Sequence, residues 1–384
     1  MKRLFLLISF ACALCTSRAQ HINTDSLLQV VISRESSVKT SSSLNRDSLL
    51  RLFPSTKSVS ARINIIYDII YNYGYLGPKQ AFYFHNKILE LTRKENDPVG
   101  EAIILSELGD IYFHNGDVTK GLNMIFGALD KAEKTGNKQA LGIVYNNLGL
   151  CYPDDVHLSK FYYQKALKFS QAADDNLFIC FELAQLSVKY QQLNKPDSSR
   201  YYLLKSFDLS VRKDVEQAIQ YNLLTLGDQE KDQKLRLKYY HAALNVPFTR
   251  RDSISLWSTL QSIAYYYREH GVTDSALFYA KKAYYAASNL FLEKKILPAQ
   301  FLAQLYTGRN ADSALKYTNI YYISRDSMYN MTKMRASLNL AYSDQQRRRE
   351  LEAQKTAYQT RLQFYILLLF ITFFNTDSFY VLAQ

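Results

Sequence analysis

Leu108-Gly109-Asp110-Ile111-Tyr112, Leu148-Gly149-Leu150-Cys151-Tyr152 and Ile263-Ala264-Tyr265-Tyr266-Tyr267 share one pattern: an apolar residue, a small residue, two variable positions and a tyrosine. Leu186-Ser187 with Tyr190 and Leu302-Ala303 with Tyr306 repeat it, and Ile69-Ile70 with Tyr73 is a weaker copy. Alignment on the last position gives anchors at Tyr73, Tyr112, Tyr152, Tyr190, Gly227, Tyr267 and Tyr306, at intervals of 39, 40, 38, 37, 40 and 39 residues. Gly227 changes the residue type and keeps the interval. A beat held this steadily marks a stack of like units, each leaning on its neighbours.

Behind each anchor comes a turn, then two small residues seven apart: Gly121 and Ala128, Ser159 and Ala166, Ser199 and Ser206, Ala276 and Ala283. Small side chains at these places let two helices approach closely, while Leu and Tyr fill the space between units. Asp197-Ser198, Asp274-Ser275 and Asp312-Ser313 read as N-caps of the second helix, because a carboxylate accepts the unpaired N–H groups of a first turn. Gly116 and Gly271 fall in the turns. Pro153 follows its anchor directly and Ser159 comes two residues early, so a short turn is expected there.

These residues resemble the tetratricopeptide (TPR) family over roughly residues 58–325. The resemblance implies an all-α superhelical solenoid of about seven helix-turn-helix units that binds peptide segments. The interval exceeds the family's usual ~34 residues, so the helices are expected to be about a turn longer.

Composition agrees with a packed helical chain. Of 384 residues, 47% are hydrophobic, which excludes wholesale disorder. Only 13 Gly and 7 Pro are present, too few for a turn-dense sandwich or barrel. The 31 Tyr are read as packing between helices in preference to an aromatic cage. A net charge of +12 raises nucleic acid as a partner. Export argues against it, and part of the excess sits in the N-terminal leader and in the cluster at 347–361.

The two ends carry different signals. Lys2 and Arg3, the apolar run Leu4 to Leu14, and Ser17 and Ala19 have the shape of a secretory signal peptide over residues 1–19. A lipoprotein at Cys12 or Cys15 fits less well. Cys151 and Cys180 then remain, expected at different heights on neighbouring helices and hence as buried free thiols, with a disulfide as the alternative. Residues 20–57 are Ser-rich, with short helices expected near 25–33 and 45–53, and read as a polar end cap. Residues 326–363 lack Gly and Pro and read as one long charged helix. A face of Met331, Met334, Leu338 and Ala341 precedes Leu351, Tyr358 and Tyr365 at heptad spacing, which offers a homodimer contact. Residues 364–384 open with FYILLLFITFF, eleven residues where a span needs about twenty. Carrying the span through Asp377 costs about 2.5–3.5 kcal/mol on insertion scales. The tail is thus either a poor anchor or the opening of a transmembrane helix interrupted at Asn375.

Leader, repeat array, charged helix and apolar tail together resemble the extracytoplasmic sensor half of bacterial TPR histidine kinases and of TPR helix-turn-helix membrane regulators, without an output domain. That resemblance implies a periplasmic module tethered to the inner membrane. The alternative is a free periplasmic adaptor that assembles envelope proteins. No catalytic set, metal cluster or cofactor loop is visible: the six His residues form no ligand spacing, and neither a nucleophile elbow nor a phosphate loop occurs. No enzyme activity, cofactor or metal is expected. Binding remains, and the inner face of the first helices maps to Ser106, Asp110, His114, Asn146, Asn147, Gln261, Tyr265, Arg268 and Gln304. Amide, charge and ring together suit an extended peptide.

Overall fold

The computed structural model describes residues 22–33, 46–70, 78–246, 253–287, 292–326, 355–356 and 358–366. The leader, Tyr73, the segment 327–354 and the end of the apolar tail lie outside them. Every regular element among the described residues is helical. Residues 1–330 and 331–384 form separate units.

In the first unit, α1 (Thr24–Ser33), α2 (Arg46–Leu52) and α3 (Val59–Ile70) precede α4 (Pro78–Lys94). Hairpins then follow one another: α5 (Pro98–His114) with α6 (Val118–Thr135), α7 (Lys138–Cys151) with α8 (Val156–Ala172), and α9 (Asn176–Gln192) with α10 (Pro196–Lys213). α11 (Glu216–Gln229) pairs with α12 (Gln233–Asn245), and α13 (Ser253–Glu269) with α14 (Thr273–Ala287). α15 (Leu292–Tyr306) is followed by α16, residues 311–326. Each second helix also packs on the next first helix, so the chain is an all-α solenoid of stacked helix pairs.

The repeat anchors sit where the first helices end. Tyr112, Tyr190, Gly227, Tyr267 and Tyr306 occupy the last turns of α5, α9, α11, α13 and α15, and Tyr152 caps α7. The tyrosine surplus follows from this placement. Tyr190 stacks on Tyr202 at 5.1 Å, Tyr267 on Tyr279 at 5.5 Å and Tyr306 on Tyr317 at 5.8 Å, each pair nearly parallel. Tyr152 stacks on Tyr162 at 5.6 Å. One ring from each helix thus staples the hairpin. At Gly227 the geometry inverts: a Cβ there would lie 2.5 Å from the Tyr240 ring, so the glycine is the seat for the tyrosine.

The small residues do what their spacing predicts. Gly121, Ala128, Ser159, Ala166, Ser199, Ser206, Ala276 and Ala283 are all buried. In the α5–α6 hairpin the backbones nearly touch. A Cβ on Gly109 would stand 2.7 Å from the Gly121 carbonyl oxygen, and one on Gly121 2.6 Å from that of Gly109. The buried serines satisfy their hydroxyls on backbone or, for Ser199, on the Ser187 and Gln229 side chains. Ser159 donates to the Gly149 carbonyl at 2.8 Å and Ser206 to that of Cys180 at 2.7 Å, so no polar group is stranded in the contact.

Three expectations are corrected. The connection at Pro153 is not short: α7 stops at Cys151 and α8 begins at Val156. The early Ser159 comes from a shorter first helix, 14 residues against 17 in α5, because the residue before a proline is steered away from helical geometry. Asp197 and Asp274 are not N-caps but lie in the first turns of α10 and α14, where the helix dipole favours them. Asn310, not Asp312, caps α16, accepting from Ser313 N at 2.8 Å. Side-chain caps on α5, α6, α7, α8, α9 and α12 are Asp97, Asp117, Asn137, Asp155, Asp175 and Asp232.

The third correction concerns the N-terminal segment, read as an end cap. α1 packs instead between α10 and α12, in the middle of the array. Leu28 and Val31 are buried in one cluster with Leu203, Phe207, Val211, Tyr239 and Ala243. Ten residues are fewer than the ~12–15 at which an isolated helix becomes even marginal in water, so α1 owes its form to this docking. α3 is tied across several units too. The Tyr67 hydroxyl donates to Asp175 Oδ2 at 2.7 Å, and Gln139 Nε2 reaches the same oxygen at 2.8 Å.

Cys151 and Cys180 are buried free thiols. Burial pushes the Cys180 thiol up to about 12, so it stays protonated and unreactive. In the second unit, residues 358–366 are helical with Tyr358, Phe364 and Tyr365 exposed. Among the described residues no helix is long and apolar enough to cross a membrane.

Candidate functional site

The nine residues mapped from sequence separate into three groups. The first closes on itself. Asn147 Nδ2 donates to Ser106 Oγ and to Glu107 Oε1, both at 2.9 Å, and Asn146 Nδ2 donates to Asn147 Oδ1 at 3.3 Å. Ser106 is fully buried and Asn147 is 3% exposed. These side chains bind α5 to α7 and leave little polar surface for a ligand. Their helices explain why: every residue of α7 from Ala140 to Gly149 is buried.

The second group is local. His114 Nε2 lies 3.3 Å from Asp110 Oδ1, one turn apart on α5, both half-buried. The pair interacts as any i, i+4 neighbours on a helix do. Another histidine, His85, is buried on α4 with its Nδ1–H on the Ala81 carbonyl at 2.7 Å, and burial lowers its pKa to about 4. Among the described residues no His, Cys, Asp and Glu gather into a set that could hold a metal.

The third group is open. Arg268 is exposed and its guanidinium carbon lies 5.1 Å from the Tyr265 ring centroid and 4.6 Å from that of Phe301. Those two rings are themselves 4.4 Å apart. Arg268 Nη1 donates to Gln304 Oε1 at 3.0 Å. Gln261 is buried on the same face, one turn before Tyr265. Burial raises the Tyr265 pKa, opposed by the Arg268 charge and by Gln261, so the phenol stays neutral at physiological pH.

The local sequence builds this arrangement. Gln261, Tyr265 and Arg268 are spaced four and three along α13 and share one face. Phe301 and Gln304 are three apart on α15 and meet that face. Trp257, four residues before Gln261, continues the stripe, with Lys294 Nζ 5.7 Å from its ring. Trp257, Lys294 and Phe301 were missed by the sequence reading. The signal for Trp257 was available as helical spacing from Gln261; the α15 partners need the register between two helices, which sequence does not print.

The arrangement has a definite chemistry. A guanidinium packed beside two rings presents a planar set of donors. It has five N–H groups, of which one goes to Gln304. The remainder, beside the Gln304 amide, are placed to meet a carboxylate or a backbone carbonyl in a shallow aromatic setting.

No protein-family model matches the chain. No curated protein matches it either. Among solved structures, the crystal structure of BtubC (BKLC) from P. vanneervenii is similar at 19% identity and a TM-score of 0.42, over 55% of this chain and 91% of that one. That likeness is too slight to bear on function. The fold itself makes the chain a helical repeat protein.

Proposed function

We propose that the chain is a non-enzymatic tetratricopeptide-type binding module that holds a protein or peptide segment against the first helices α13 and α15. The observation that carries this reading is the Arg268 guanidinium, exposed, within 5.1 Å of the Tyr265 and Phe301 ring centroids and bonded to Gln304. An acidic or carboxylate-bearing segment fits it best, since the free donors are cationic and the chain is basic overall. The signal-like leader and apolar tail support an exported module tethered at the inner membrane, the receiving or scaffolding part of a signalling protein.

The chain has a single tryptophan, and Trp257 lies on the same helix face as Arg268. Its fluorescence therefore reports occupancy of this groove. Decapeptide pools with one fixed Asp or Glu should shift Trp257 emission, and pools with fixed Lys should not. The double variant Arg268→Ala, Gln304→Ala should melt as the wild type does and lose at least tenfold in affinity. Equal binding of acidic pools by that variant would overturn the reading.

A further inference from the structure

The space between α10 and α12 differs from the rest of the array because something already sits in it. Its walls are Leu203, Phe207 and Val211 on one side and Tyr239, Ala243 and Val246 on the other, and they form one apolar cluster with Leu28 and Val31. α12 is short, 13 residues where α10 has 18. The seated helix is amphipathic: Leu27, Leu28, Val31 and Ile32 face inward, while Asp25, Ser26, Gln29 and Val30 are exposed. Its start is fixed by polar contacts. Asn23 Oδ1 accepts from Ser26 N at 3.0 Å, and Thr24 lies beside the Tyr239 phenol. Asp25 and Arg200 both lie within electrostatic reach of that phenol.

We propose that this cleft is a helix-binding site, and that α1 is a resident pseudo-ligand that a partner's helix displaces. The partner helix has an acidic residue in its first turn and apolar pairs one turn apart, the pattern that α1 presents as Asp25, Leu27-Leu28 and Val31-Ile32. Three observations lead there. α1 is too short to be helical unsupported. It is held by two buried side chains, Leu28 and Val31, and the partly buried Leu27 and Ile32 rather than by a continuous core of its own. Its neighbours in the chain, α2 and α3, pack near α4 and α5 and not in the cleft. An element ordered only by one docking face exchanges readily with a competitor that offers the same face. This surface belongs to second helices and stands whether or not the Arg268 groove binds peptide.

The test uses the full chain with Leu28→Asp and Val31→Asp, which expels α1 and leaves the array's own residues intact. A fluorescein-labelled peptide of residues 22–33, acetylated and amidated, is titrated against it by anisotropy. The expected result is micromolar binding by the variant and at least tenfold weaker binding by the wild type, whose own helix competes. The same peptide with Asp25→Lys should bind the variant several-fold more weakly. Equal binding by wild type and variant, or none by a variant that retains the wild-type circular dichroism, overturns the proposal. Should the variant fail to fold, hydrogen exchange on the wild type decides. Saturating unlabelled peptide should speed amide exchange across 24–33, and unchanged exchange overturns the proposal. Concentration-dependent dimers of the wild type would show exchange of α1 between two copies and would equally overturn a partner's helix as the occupant.

Discussion

The contact between α5 and α7 and the contact between α13 and α15 join first helices of different units, and they use polar residues in opposite ways. Ser106, Glu107 and Asn147 are buried and hydrogen-bond to one another. Arg268 and Gln304 touch through one bond and face solvent. The first is a seal and the second a surface. A repeat array can therefore spend the same face of the same helix on cohesion in one unit and on recognition in another. Residue type does not separate the two; the closeness of the helices does.

The α5–α6 hairpin beside the seal, where two backbones meet, should suffer most from added bulk. Gly109→Ala forces a methyl group into the Gly121 carbonyl and the Ile125 side chain, and backbone yields poorly, so about 3 kcal/mol of stability should go. Gly127, on the same hairpin with open space around it, is the control: Gly127→Ala should gain up to ~1 kcal/mol through helix propensity. Urea melts of both measure the difference, and similar losses would mean the two backbones are not in contact. Next comes the polar seal. Asn147→Ala leaves Ser106 and Glu107 short of a buried donor and should lower stability by about 2 kcal/mol. Arg268→Ala should change it by less than ~0.5 kcal/mol, as an exposed substitution does. Equal losses in thermal melts would erase the distinction between seal and surface.

A smaller, pH-dependent effect sharpens it further. Glu182 on α9 is fully buried, and burial raises its pKa well above the ordinary value; its partner is Ser170, which donates at 2.8 Å. The unfolded chain releases this proton near pH 4.3, the folded chain only at higher pH. Between those two values the unfolded state binds fewer protons, so stability falls as pH rises. Glu182→Gln removes the titration. The melting temperature of the variant should gain on that of the wild type as pH rises from 4.5 through the folded pKa of Glu182. A constant gap across that range would place the folded pKa of Glu182 where it is in water.

Much of this was legible in the sequence, and what was not has physical reasons. The tyrosine beat placed the first helices because a ring at the same point of each hairpin does the same packing. The small-residue pairs were readable because close approach admits few residue types. Asp197 and Asp274 were misplaced as caps since Asp is favoured both at the cap and in the first turn. The docking of α1 between α10 and α12 left no local trace: Leu28 and Val31 mark an amphipathic helix, and nothing in the chain says which distant cleft receives it. Ser106 and Asn147 likewise read as groove residues because burial depends on how tightly α5 and α7 approach.

Asp175 closes the account of the front half. One of its oxygens caps α9 and the other is shared by Tyr67 of α3 and Gln139 of α7. Solenoids with only nearest-neighbour contacts can fray one unit at a time. A knot of this kind, spanning three helices from separate units, forbids that: α3, α7 and α9 must let go together. Heating should therefore erode the array from its far end first, with the helices from α3 to α9 giving way as a single block.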